Sequence, residues 1–261
     1  MKVFLIRHAE TVHNVGQAWA GTTDSPLTSH GFLQIERLAQ YFASTQTCFS
    51  HVFSSDLQRA VATAEGINNG TAQLTLTGLL QEQHFGSREG TGFRRPRHNH
   101  EQHDAGFVPA ETELAMRARA NAFLNNYFLP VVFDAGTSST SQAVAIVAHG
   151  IILRVLWDCL TQLFPPGTVK PSPTLEGGRA GNVPTPFWSN TGFMELSIEP
   201  DAAAPWDTAS SSSVLSGWSV TVLSINSKLH LADLRRTRGG IGSMQHDTSQ
   251  KRIDSFFRPR P

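Results

Sequence analysis

KVFLIRHAET, residues 2–11, joins five residues suited to a short buried strand to a cluster of polar and titratable side chains. Lys2–Ile6 read as strand, and Arg7, His8, Glu10 and Thr11 follow at once. The same change recurs twice further on. HVFSS at 51–55 is followed by DLQRA, and AVAIVA at 143–148 by His149 and Gly150. Between these strands lie helical spacings. Phe32, Ile35, Leu38, Ala39 and Phe42 share one helical stripe, with Thr28 or Ser29 as its cap. Asp56 is placed to cap a helix carrying Leu57, Ala60, Val61, Ala64 and Ile67. Residues 74–80 read as a third strand, 111–128 as a helix through Leu114, Ala118, Ala122 and Phe123, and IILRVLWDCLTQLF as an amphipathic helix with Trp157 and Phe164 in the core. FMELSI at 193–198 and WSVTVLSI at 218–225 complete the strands. Apolar strands alternating with helices predict an α/β layered sheet. Ligands of such sheets bind beyond the carboxyl ends of the strands, where Arg7, His8, Arg59 and His149 fall.

The chain of 261 residues is 39% hydrophobic and 16% charged, which suits a globular core and argues against wholesale disorder. Its 21 basic and 21 acidic residues cancel, so it is not a uniformly basic nucleic-acid binder. From Arg235 onward seven basic residues meet two acidic ones, giving a tail of +5 on a body of −5. Cys48 and Cys159 cannot form a disulfide framework or a zinc-binding CxxC pair, and are expected as buried thiols in a reducing compartment. A strand opening directly at Met1 leaves no room for a signal peptide, and no apolar run reaches the roughly 18 residues of a membrane helix.

Six motifs in order give these residues a common meaning. LIRHAET at 5–11 resembles the Arg-His-Gly/Ala-Glu-Thr signature of the histidine phosphatase superfamily, the phosphoglycerate mutase-like enzymes. SPLTSHGFLQ (25–34), SSDLQRAVATA (54–64), LQEQHFGSREG (80–90) and VAHG (147–150) resemble that family's later segments, and Asn190–Gly192 and KLHL (228–231) its weaker late ones. The resemblance covers roughly residues 1–234 and implies a three-layer α/β/α sandwich with a mostly parallel central sheet. It implies His8 as the phosphorylated nucleophile and Glu82 as the acid and base. Arg7, Arg59 and His149 become the phosphate pocket, and Asn14 an extra donor. The residues suit those roles chemically. Phosphoryl transfer needs a nucleophile, fixed cations around the equatorial oxygens and a proton donor for the leaving oxygen. A neutral imidazole supplies the first, bidentate guanidiniums the second, and a carboxyl beside the phosphate the third. A protonated His149 would add charge. Glu89 is expected to be structural. No metal or cofactor is required. Ala9, where the mutase branch carries Gly, favours a hydrolase over a mutase. A second alternative is a binding protein on a phosphatase scaffold. The expected substrate is a small phosphomonoester or a phosphoprotein.

Three stretches look peripheral: 91–110, a lid rich in Arg and His; 165–189, holding six of the 14 prolines; and the low-complexity insertion 199–217. Substrate choice is assigned to 91–130, where Arg94, Arg95 and Arg97 suit a second anionic group; His98, His100 and His103 read as solvated lid residues rather than metal ligands. The tail 235–261 reads as disordered. Within it Gln250, Ile253, Phe256 and Phe257 resemble the PIP box that docks on the replication sliding clamp. Ile253, Phe256 and Phe257 would form an apolar plug on a single 3₁₀ turn, with Gln250 anchoring one edge. This partner implies residence in the cytoplasm, the nucleus, or both. No direct nucleic-acid or membrane partner is expected.

Overall fold

The computed structural model describes residues 1–68, 70, 72–93, 106–137, 142–175, 182–201 and 213–236. The basic residues of the 94–105 stretch and the clamp motif at 250–257 lie outside them. Seven strands form one sheet: β1 (Lys2–Arg7), β2 (Phe49–Ser55), β3 (Gln73–Thr77), β4 (Ala143–Ala148), β5 (Val169–Pro171), β6 (Phe193–Pro200) and β7 (Trp218–Ser227). Their order is β3-β2-β4-β1-β6-β7-β5. All neighbours are parallel except β6, which runs antiparallel to β1 and β7. β4 therefore returns between β1 and β2, and the carboxyl ends of these three central strands meet at one edge.

Burial explains the layers. Val3, Phe4, Leu5 and Ile6 are all buried, as a central strand covered on both faces requires. Their side chains alternate. Val3 and Leu5 join Phe123, Phe128, Ile152 and Leu156 on one face, while Phe4 and Ile6 join Leu38, Phe42, Ala60 and Ala64 on the other. Helices α2 (Ser29–Ser44) and α3 (Gln58–Ile67) cover the second face. Helices α4 (Glu113–Phe123), α5 (Leu129–Thr137) and α6 (Gly150–Thr161) belong to the first; the one-turn α1 (Val12–Gly16) follows β1. This is the three-layer α/β/α sandwich with a mostly parallel sheet.

Local expectations needed revision at several points. Thr28 does cap α2, accepting from Gly31 N at 2.9 Å. Phe32 is 59% exposed, however. The buried stripe runs through Gly31, Ile35, Leu38 and Phe42, and Phe32 lies about 100° away around the helix. Gly31 sets that rotation, because a Cβ there would strike the carbonyl oxygen of Glu10. Asp56 does not cap α3. Its carboxylate accepts from Gln81 Nε2 at 2.8 Å, and Asp24 reaches in from another loop to accept from Gln58 N at 2.8 Å. The single helix expected over 111–128 is α4 followed by a π-helical turn, Leu124–Phe128. Pro130 follows closely; its lack of an N–H removes one regular helical bond there. Cys159 is buried, but Cys48 is exposed.

The stretches read as peripheral are only partly so. Residues 165–189 supply the edge strand β5 and the buried Trp188, whose indole N–H donates to Leu5 O at 2.9 Å. Leu215 of the second insertion is fully buried. No described helix is long and apolar enough to cross a membrane.

Candidate active site

Arg7 ends β1 and His8 follows it, with His8 N donating to Ala148 O at 2.9 Å. That bond brings the end of β1 beside the end of β4, so His8 and His149 stand with ring centroids 4.9 Å apart. Arg59 enters from the first turn of α3, just beyond β2. Glu82 comes from the loop after β3 and its short 3₁₀ turn Gly78–Leu80. Arg7, His8, Asn14, Arg59 and Glu82 line one cleft of about 230 Å³. His149 sits behind it, fully buried.

The hydrogen bonds assign the tautomers. His8 Nδ1 lies 2.7 Å from the carbonyl oxygen of Ala9, which can only accept. Nδ1 therefore carries the proton, and Nε2 of the neutral ring holds a lone pair. Burial first, then Arg7 and Arg59, hold His8 well below the usual histidine range. The ring is therefore neutral at physiological pH. His149 has the opposite tautomer. The Arg59 Nε–H can only donate, and it reaches His149 Nδ1 at 3.2 Å, so Nε2–H donates to Ser55 Oγ at 3.0 Å. Burial, His8, Arg59 and Arg7 keep this ring neutral as well. Without an anion in the cleft, burial and two nearby guanidiniums disfavour a third positive charge on this ring.

The two arginines are used differently. Arg59 is 2% exposed and donates to Thr23 O at 2.8 Å, Gly21 O at 2.6 Å and His149, which uses three of its five N–H donors and leaves one on each terminal nitrogen. Arg7 donates to Trp188 O at 3.0 Å, but its buried Nε has no hydrogen-bond partner among the described residues. A buried cationic donor left open beside a nucleophilic imidazole suits an anion. Asn14 Oδ1 receives three donors, Thr11 N, Thr11 Oγ1 and Asn190 Nδ2, each at 3.0 Å. Its amide N–H₂ is the end left to meet a ligand. The Glu82 carboxylate accepts from Gln83 N at 3.0 Å, Ile152 N at 3.1 Å and Ile151 N at 3.2 Å, closing the first turn of α6. Glu89 is structural, as expected. Burial pushes its carboxyl up, but bonds from Thr23, Thr22 and Phe85 N outweigh this and lower it.

Behind these groups lies support that the motifs only partly revealed. Asn190 Nδ2 also donates to His8 O at 3.1 Å, and Thr191 N donates to Arg7 O at 3.1 Å. His230, from the KLHL segment, donates its Nε2–H to Thr191 Oγ1 at 3.0 Å, since that hydroxyl gives its proton to Asn190 O. Sequence reading missed Arg119. It pairs with Glu111 through two bonds of 2.8 and 3.0 Å and donates to the carbonyls of Leu79 (2.9 Å), Gln81 (2.5 Å) and Glu82 (3.3 Å). An Arg and a Glu eight residues apart carry no signal of a shared task until the Glu82 loop folds onto them. The aromatic cleft residues Trp19, Phe85 and Phe93 were missed for the same reason. Of the described residues within 91–130, Phe93 lines the cleft and none of 106–130 does. No group of described His, Cys, Asp and Glu is arranged to hold a metal ion.

His230 gives a stability prediction. Burial lowers its pKa to about 4. The unfolded chain then binds the extra proton first, from pH 6.5 downward, so stability is lost on acidification. Between pH 7 and pH 5 this one group is expected to cost about 2 kcal/mol. Urea unfolding at both pH values, on wild type and His230→Gln, reads the difference; an unchanged pH slope in the variant contradicts the assignment.

A sequence model of the histidine phosphatase superfamily, branch 1, matches residues 3–170. The chain belongs to the histidine phosphatase superfamily. Over 171 residues this histidine phosphatase is 30% identical to the putative phosphoserine phosphatase 2 of Hydrogenobacter thermophilus, covering 61% of this chain and 78% of that protein. It is 25% identical over 161 residues to the phosphoglycerate mutase-like protein 4 of Arabidopsis thaliana, covering 60% and 70%. Its fold matches a mycobacterial glucosyl-3-phosphoglycerate phosphatase with a TM-score of 0.59 at 19% identity, over 87% of this chain and 99% of the other. The α-ribazole phosphatase of Shigella flexneri matches with a TM-score of 0.57 at 21% identity, over 87% and 96%. Family and relatives together make the protein a phosphatase enzyme.

Proposed function

We propose that this enzyme hydrolyses a small phosphomonoester through a phosphorylated His8, without metal or cofactor. One observation carries the reading: the Nδ1–H bond to Ala9 leaves Nε2 of His8 with its lone pair, and His8 lines a cleft together with Arg7, Arg59 and Asn14. Nε2 attacks phosphorus as the ester P–O bond breaks. Glu82, in its acid form, hands its proton to the departing alkoxide. The Glu82 carboxylate then takes a proton from water as that water attacks phospho-His8. Phosphate leaves, and the electron pair of the P–N bond returns to Nε2. Arg7, Asn14 and the two remaining N–H groups of Arg59 donate to the equatorial oxygens throughout, while the other Arg59 donors fix the His149 ring and the Gly21–Thr23 loop. Quenching a reaction in alkali and locating an acid-labile phosphoryl group by fragment mass spectrometry tests the intermediate. Free phosphate in the presence of chelator supports hydrolysis; an isomeric ester with no free phosphate supports a mutase and overturns it.

Arg119 follows as a positioning residue. Arg119→Leu frees the carbonyls at 79, 81 and 82 and lets Glu82 drift. Turnover of an alkyl phosphate is expected to fall about 10- to 100-fold. The first-turnover burst of nitrophenolate from p-nitrophenyl phosphate, whose leaving group needs no proton, should slow much less. Equal slowing of the first turnover on both esters would mean a general structural role.

The tail adds a recruitment step. Gln250, Ile253, Phe256 and Phe257 dock on the replication sliding clamp, and a share of the protein thereby resides in the nucleus beside a cytoplasmic pool. Flanking Lys251, Arg252, Arg258 and Arg260 would speed encounter with an acidic surface. Titrating the full chain against purified clamp, with and without Phe256→Ala and Phe257→Ala together, decides it. Binding that survives both changes, or no binding by wild type, removes this step.

A further inference from the structure

The cleft has a second, differently built end. Trp19 lies with its ring centroid 4.4 Å from Phe85 and 4.5 Å from Phe93, at interplanar angles of 47° and 64°. All three line the same cleft as His8. Backbone bonds fix the wall they form. Ala18 and Gly92 are bridged, Trp19 N donates to Thr91 O at 2.9 Å, Gly90 N donates to Trp19 O at 2.7 Å, and Phe93 N donates to Gln17 O at 2.8 Å. Glu89 ties the base of the wall through Phe85 N at 3.1 Å and Thr22 N at 2.9 Å. Phe85 is buried, whereas Phe93 leaves 48% of itself exposed. Among the described lining residues the charged side chains are Arg7, Arg59 and Glu82; apart from His8, Thr11 and Asn14 the others are aromatic, aliphatic or glycine. A second anionic group on a substrate would meet no described cation there, while a flat apolar group would cover Phe93 and stack against the ring cluster.

We infer that Trp19, Phe85 and Phe93 form a subsite for the alcohol portion of the substrate, and that this portion is a planar aromatic group on a small monoester. The inference rests on the phosphatase reading for where the phosphate lies. Its test needs no turnover. Calorimetric titration of the full chain with benzylphosphonate and with ethylphosphonate, non-hydrolysable ligands that share an anionic head, gives a ratio of dissociation constants. The aromatic ligand should bind about tenfold more tightly to wild type. In Trp19→Ala and in Phe93→Ala the ratio should shrink to about threefold or less. The ratio is insensitive to the fraction of folded protein, so partial unfolding of a variant does not mimic the result. Equal affinities in wild type, or a preference that survives both variants, overturns the subsite. Phosphate release from benzyl phosphate is read separately. Its absence alongside an intact ratio would sink the hydrolase reading and leave the aromatic subsite standing.

Discussion

Replacing His8 by alanine is expected to lower kcat by about 10⁴-fold or more on every phosphomonoester. In the proposed mechanism Nε2 of His8 forms the new bond to phosphorus, and no other described side chain in the cleft offers a neutral nucleophilic nitrogen. His149 is the nearest alternative, but its Nδ1 is held by Arg59 and its Nε2–H by Ser55. The fold should tolerate the change. The hydrogen bond from the His8 side chain goes to the carbonyl of its own neighbour, Ala9, so no distant element loses a partner. Arg7 and Asn14 remain to hold an anion, so vanadate or inorganic phosphate should still bind. The measurement is phosphate release with chelator present, beside anion binding by calorimetry. Retention of more than about one per cent of wild-type turnover, with anion binding intact, would remove His8 from the nucleophile's role.

The second large effect concerns Glu82. Glu82→Gln keeps the shape and removes the titratable proton. Turnover of an alkyl phosphate should fall about 10²- to 10⁴-fold, since the alkoxide must then leave unprotonated. Formation of phospho-His8 from p-nitrophenyl phosphate should be nearly spared, because nitrophenolate leaves without help. Its hydrolysis should slow, so the phosphoenzyme should accumulate and a burst of nitrophenolate should appear. The substitution also places an amide N–H₂ against the N–H groups of Gln83, Ile151 and Ile152, and loss of one such bond costs about 1–3 kcal/mol. The burst separates the two consequences. A destabilised but chemically competent enzyme would show reduced amplitude with no change in the ratio of the two steps. Equal slowing of both esters with no burst would assign the proton to another group.

Much of this site was legible before any coordinates. His8, Arg7, Arg59, Glu82, Asn14 and Asn190 each belong to a short motif, and a strand that ends abruptly on polar residues shows where they gather. What the motifs hid was how each side chain spends its bonds. Arg59 and Arg7 look equivalent as guanidiniums, yet Arg59 is tied to two carbonyls and the His149 ring, while Arg7 has one carbonyl partner and a buried Nε without one among the described residues. The motif names His149 but not its tautomer, which the Arg59 donor and the Ser55 hydroxyl fix in the ligand-free site. Asp56 looks like a cap, but the chain path of the Asp24 loop puts another carboxylate there first. Phe32 looks like core by spacing alone, until the contact at Gly31 fixes which side of the helix faces the sheet.

By itself, then, the sequence determined the class of fold, the family and the candidate site residues, because strand periodicity and contiguous motifs are local properties of the chain. Only the tertiary structure decided the tautomers, the open donor of Arg7, the brace from Arg119 and the wall of Trp19, Phe85 and Phe93. Each of these depends on which groups meet across tens of residues and on how much water is left between them. That is a matter of burial and hydrogen-bond partners, and neither is written in any one segment.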